Sequence, residues 1–191
     1  RRILSLFKRT SYVGFTATPF ANVLIDHKED EDLFPTDFIQ ILETPSNYMG
    51  AESIFPENGK YHSVLKSNDD AEKYIPIVIP KELRKSFIVD ELPDSLKEAI
   101  KIFFIQNAIR DLRGDKNKHR SMLVNVSHLV YMQKQVNELI TNEVGYLQRQ
   151  IKQYILNESS LIHKELMKLF NTEFTNIPER WEQIYKSLYV S

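Results

Sequence analysis

The chain has 191 residues, 42% hydrophobic and 27% charged, with 25 Lys and Arg against 26 Asp and Glu for a net charge of −1. That composition excludes a disordered chain and leaves length for one domain or two small ones. The balanced charge supplies no bulk attraction to nucleic acid.

There is no cysteine, so disulfides and thiolate metal sites are excluded, which fits a reducing, cytoplasmic setting. The five histidines (His27, His62, His119, His128, His163) are scattered without helical pairing, and no metal site is expected. No apolar run is long enough to span a bilayer and no signal peptide opens the chain, so no membrane partner is expected. It begins at Arg1 rather than methionine and is read as a fragment of a longer protein.

In chain order, Arg1 to Arg9 predicts one or two amphipathic turns. Tyr12 to Thr16 reads as a short buried strand, in which Gly14 leaves room for close approach. Thr16 and Thr18 follow at its carboxyl end, and Pro19 pushes Thr18 out of helical conformation before a helix at Phe20 to Leu24. His27 to Asp32 is an acidic loop. Asp26-His27-Lys28 has the superficial form of a nuclease carboxylate and lysine, but no second acid precedes it to complete a Mg²⁺ site.

Phe38 to Leu42 predicts a second strand, and Ser46 to Asp70 an irregular surface segment. Tyr74 to Pro80 contains two prolines, so an edge strand or extended cover is expected. Asp94 is placed to cap a central helix over Ser95–Arg113, with Gly114 just beyond its end. After a basic loop, Ser121 to Val126 reads as a buried strand ending in Ser127-His128. Leu129 to Ile155 has helical periodicity, with Gly145 a candidate break. A helix follows Asn157–Ser160, and Pro178 opens the last one, where Trp181 is expected in an interhelix contact.

The run Gly14-Phe15-Thr16-Ala17-Thr18-Pro19 resembles motif III of superfamily-two helicases and restriction-enzyme translocases. Extended through Ala21-Asn22-Val23-Leu24-Ile25-Asp26, and joined by Asp32-Leu33-Phe34-Pro35, Tyr48-Met49-Gly50-Ala51, Ser95 to Ile100, Ala108-Ile109-Arg110 and Ser121 to Ser127, it is similar to the Z-one domain family. Those proteins are ascribed an endonuclease role and are associated with helicase-like ATPases. The likeness runs from about Tyr12 to Leu139, with weaker support beyond.

The resemblance implies an α/β fold: a piece of a RecA-like helicase core with a loop-rich insertion and a helical C-terminal part. Residues 1–45 would end the first lobe, 46–93 would be a family-specific insertion, and 94–191 would hold the central helix, the first strand of the second lobe and the last helices. It assigns Gly14, Thr16, Ala17, Thr18 and Pro19 to coupling between nucleotide and nucleic acid, and Asn22, Ser127 and His128 to nucleic-acid contact. Ser127 equally suits a helix cap, and both readings stand.

The whole protein would be an ATP- and Mg²⁺-dependent hydrolase acting on DNA in a restriction-like or defence system. No phosphate loop Gly-x-x-x-x-Gly-Lys-[Ser/Thr] occurs among the five glycines, so these 191 residues alone are expected to hydrolyse no ATP and to hold no cofactor. The alternative is a non-catalytic interaction module, whose Pro35–Leu92 segment docks a partner nuclease or regulatory ATPase.

Overall fold

Apolar residues recur at helical spacing from Leu96 onward, and the computed structural model places the long helices there. It describes residues 4–18, 37–76, 78–84 and 86–190. Among them are six α-helices: α1 (Ala51–Ile54), α2 (Ala71–Tyr74), α3 (Asp94–Leu112), α4 (Val130–Tyr154), α5 (Leu161–Glu173) and α6 (Trp181–Val190), with short 3-10 turns at Leu4–Leu6 and His62–Val64. They fall into two units, Arg1–Leu65 and Lys66–Ser191.

In the first unit, α1 is tied to the turn that follows it. Tyr61 N donates to Ser53 O at 2.8 Å, and His62 Nδ1 lies 3.2 Å from Ile54 O. Gly59 permits this crossing, because a Cβ there would stand 2.7 Å from Ser53 O and 2.8 Å from Pro56 O.

The second unit is a helical bundle built on α3, which packs against α4, α5 and α6. Its sequence is apolar nearly all round, as a helix surrounded by neighbours must be. Ile100, Ile105, Ala108 and Ile109 are buried on it. They meet Met132, Val136, Leu147 and Ile151 of α4, Ile162, Leu166 and Phe170 of α5, and Ile184 and Leu188 of α6 in one core. Ile75, Ile79, Val89 and Leu92 join that core from the segment before α3. Ile75 and Ile79 thus cover the core, and the described residues of Tyr74–Pro80 form no edge strand. Gln135 staples the Phe87–Val89 stretch ahead of α3 to α4, accepting from Val89 N at 2.8 Å and donating to Phe87 O at 3.2 Å.

Helix ends follow the local chemistry. Gly114, at φ 88°, terminates α3 in the left-handed conformation, with Asp115 N donating to Arg110 O and Gly114 N to Asp111 O. Ser160 caps α5, accepting from His163 N at 3.2 Å. Helix α4 runs through Gly145 without a break. One interior glycine costs only about 1 kcal/mol, less than burying the stripe from Met132 to Ile151 returns.

At α3 the sequence reading needs amending. Asp94 is its first helical residue and pairs with Lys97 at 3.3 Å, while the cap comes from Asp70. Ser95 donates to Asp70 through its amide (2.9 Å) and its hydroxyl (2.5 Å), and these bonds hold the Asp70 carboxyl below its ordinary value of 3.8. A carboxylate so depressed contributes stability above its unfolded value, and that contribution is lost as pH falls through the folded one. Asp70→Asn should therefore lower the melting temperature at pH 7. The gap from wild type should close below pH 3.8, read by circular dichroism across the pH series.

The α/β, RecA-like expectation is overturned: the described residues contain no strand. Tyr12–Thr16, Phe38–Leu42 and Ser121–Val126 are non-helical and unpaired, with Phe15 88%, Ile41 80% and Leu123 93% exposed. Strand propensity measures fit to a pleated, half-buried surface, and a strand forms only where a neighbouring strand supplies the ladder. None of these three stretches has such a neighbour among the described residues, whereas the helices close their hydrogen bonds internally.

Candidate functional site

The segment from Arg120 to the start of α4 gathers most of the polar groups that the sequence marked in this unit. It is braced at its entry by Arg120, whose Nη2 pairs with Asp111 and donates to Asp115 O at 2.9 Å, while Nη1 donates to Asn107 O at 3.1 Å. This fork stitches the loop onto α3, as a planar guanidinium can and an ammonium cannot. Beside it, Arg110, Arg120, Gln106 and Asn107 line a cleft of about 280 Å³ under Ser121 and Met122.

At its exit stands Ser127. Its hydroxyl accepts from Leu129 N at 3.1 Å and lies 3.6 Å from Met132 Sδ, and Gln133 Nε2 donates to its carbonyl at 2.7 Å. Ser127 therefore makes the turn into α4 rather than capping it. Leu129 occupies the N-cap position, with no side chain closing the end and no acid in the first turn. His128 is exposed between them. The 25-residue α4 thus has the positive end of its dipole beside the Ser127 hydroxyl and the His128 imidazole.

Two further cations of this corner are engaged within the protein. Arg113 holds Glu179 through both arms (2.6 and 2.9 Å), each group favouring the other's charged form, and Lys118 pairs with Asp115 at 2.6 Å. The basic look of the 110–120 loop accordingly overstates the positive charge left for a ligand.

Of the motif assigned to coupling, Gly14, Thr16, Ala17 and Thr18 lie in exposed coil, where Thr18 N donates to Thr16 Oγ1 at 3.0 Å in a local turn. Pro19 and Asn22, with Asp26 and Lys28, lie outside the described residues. The structure brings Ser127 and His128 together at one helix end.

The described residues do not fit a Mg²⁺ nucleotide. The chain has no phosphate loop, and among the described residues no three His, Cys, Asp or Glu side chains converge on a metal position. No described helix is long and apolar enough to cross a membrane.

Sequence reasoning missed the Asp70 cap, the Arg120 brace and the role of His163. His163 is buried in α5, with Nδ1 2.7 Å from Ile155 O and Nε2 accepting from Trp181 Nε1 at 2.8 Å. The available signal was its place in the apolar stripe Ile162, Leu166, Phe170 of an otherwise amphipathic helix.

The Lys66–Ser191 unit is thus a helical bundle in which α4 opens without a side-chain cap. The chain matches the Z1 domain over residues 95–190, half of its length, and belongs to that family. The match takes in α3 through α6, whereas the motif at Gly14–Pro19 lies ahead of the matched span. No curated protein and no solved structure matches the chain.

Proposed function

We propose that the chain serves an ATP-driven, helicase-like DNA-processing protein of the Z1 family, with its helical unit acting as a non-catalytic element that engages DNA. The supporting observation is the start of α4, where a long helix opens without a cap or an acid, next to Ser127 and His128. Backbone amides there can donate to a phosphate oxygen, with the exposed imidazole as a second donor. The contact positions a strand and carries no base readout, since phosphates are alike in every sequence. In this reading nucleotide hydrolysis belongs to other parts of the protein, and Thr16 and Thr18 transmit it to the DNA.

The test is titration of the 191-residue chain into labelled single- and double-stranded DNA of mixed sequence. One or two phosphate contacts give a slope of about −1 to −2 in log K against log salt. A flat salt response, or no binding at low salt, refutes the reading.

A further inference from the structure

A second cleft, of about 500 Å³, lies between the Asp90–Leu92 segment, the first turn of α3 and the middle of α4. Asp90, Glu91 and Glu143 face it together with Lys97, Tyr146 and Arg149. The charges differ in how far they are already satisfied. Lys97 is engaged, 3.3 Å from Asp94 and 3.7 Å from Glu91. Burial works to lower its pKa, but the bond to Asp94 and the fields of Asp94, Glu91 and Glu143 outweigh it and hold the ammonium above 10.5. Arg149 has neither an ion pair nor a hydrogen bond among the described residues.

Gly145 supplies an independent observation. A glycine inside a helix weakens it relative to alanine, and here nothing in the fold demands one. Its φ is not positive, and an added Cβ would meet only Arg149 Nη1, at an ordinary 3.5 Å. The missing side chain instead keeps the floor of the cleft open beneath the guanidinium. A local rule broken without internal compensation is the pattern expected where a surface is kept for a ligand.

We propose that this cleft docks an extended segment of a partner polypeptide carrying basic and acidic side chains in alternation, the acid meeting Arg149 and the base meeting Glu143 and Asp90. Charge complementarity selects that occupant. A nucleic-acid strand would bring its phosphates against three carboxylates, and a uniformly basic segment would meet Lys97 and Arg149. Side chains on one face of an extended chain recur about every 7 Å, so a base and an acid two positions apart present both charges to the cleft side by side, and Tyr146, half exposed, offers an aromatic face to the stems between them. The site is separate from the α4 start, so the two readings stand or fall independently.

The test is fluorescence polarisation at physiological salt, using the 191-residue chain and labelled peptides of Lys-Ser-Glu-Ser, Lys-Ser-Lys-Ser and Glu-Ser-Glu-Ser repeats. The mixed peptide is expected to bind at least about tenfold more tightly than either single-sign peptide, a preference worth two good ion pairs. Arg149→Glu should abolish the preference, and Glu143→Gln should reduce it. Gly145→Ala should weaken the mixed peptide severalfold while raising the melting temperature, a combination that lost folding cannot produce. Equal binding of all three peptides, or a preference untouched by Arg149→Glu in a variant with native circular dichroism, overturns the proposal.

Discussion

His163→Ala is expected to destabilise the Lys66–Ser191 unit by about 3 kcal/mol, adding a cavity to the loss of two buried hydrogen bonds. The tautomer follows from the partners. An indole N–H can only donate, so Nε2 accepts from Trp181, and Nδ1 carries the proton toward the Ile155 carbonyl. One ring thereby joins the end of α4, the start of α5 and the start of α6. Tyr185 closes over it, its ring centroid 4.9 Å away, and Phe170 packs on Trp181 at 5.7 Å.

His163→Phe fills the site with a somewhat larger ring but leaves the indole N–H and the Ile155 carbonyl unsatisfied, so it should cost less than the alanine variant. Trp181 is the one tryptophan of the chain, and its fluorescence during urea unfolding reports this contact directly. Equal midpoints for wild type and His163→Ala would show that the clamp adds nothing.

Arg120→Met should cost about 2 to 3 kcal/mol, at the lower edge of what breaking a buried ion pair costs. The side chains of Arg120 and Asp111 are 14% and 10% exposed, so water screens the pair little. The same guanidinium satisfies Asn107 O and Asp115 O, and methionine offers neither carbonyl a donor. Arg120→Lys restores charge without the fork and should recover only part of the loss. Urea midpoints for the three proteins check this ordering. A lysine variant as stable as wild type would reduce the brace to a simple charge contact.

The helices were legible because each declares itself locally. Ser95 to Arg113 announces α3 by its apolar positions and by Gly114 at its end, and the observed helix differs by a residue at either end. Trp181 was rightly placed between helices, since its spacing with Ile184, Tyr185 and Leu188 puts it on the buried face. The strands were not legible in the same way, because Ser121–Val126 and Tyr12–Thr16 have strand composition but no described neighbour to pair with.

The candidate site divides along the same line. Ser127 and His128 precede a periodic run and could be found from sequence. Asp70 reaches Ser95 across 25 positions and His163 reaches Trp181 across 18, and such contacts exist only once the bundle has closed. The cleft beside Gly145 was hidden for a related reason: in sequence an interior glycine reads as a break, and only an unbroken helix shows that it leaves space.

The most direct measurement of the account's central claim is DNA affinity of the full 191-residue chain and its Ser127→Ala, His128→Ala double variant, at low and at physiological salt. Wild type should bind more weakly as salt rises. The variant should lose about five- to tenfold at low salt, the worth of one phosphate hydrogen bond of about 1 kcal/mol, and show a shallower salt slope. Identical affinities and slopes for the two proteins, with unchanged melting temperatures, would contradict a DNA contact at the start of α4.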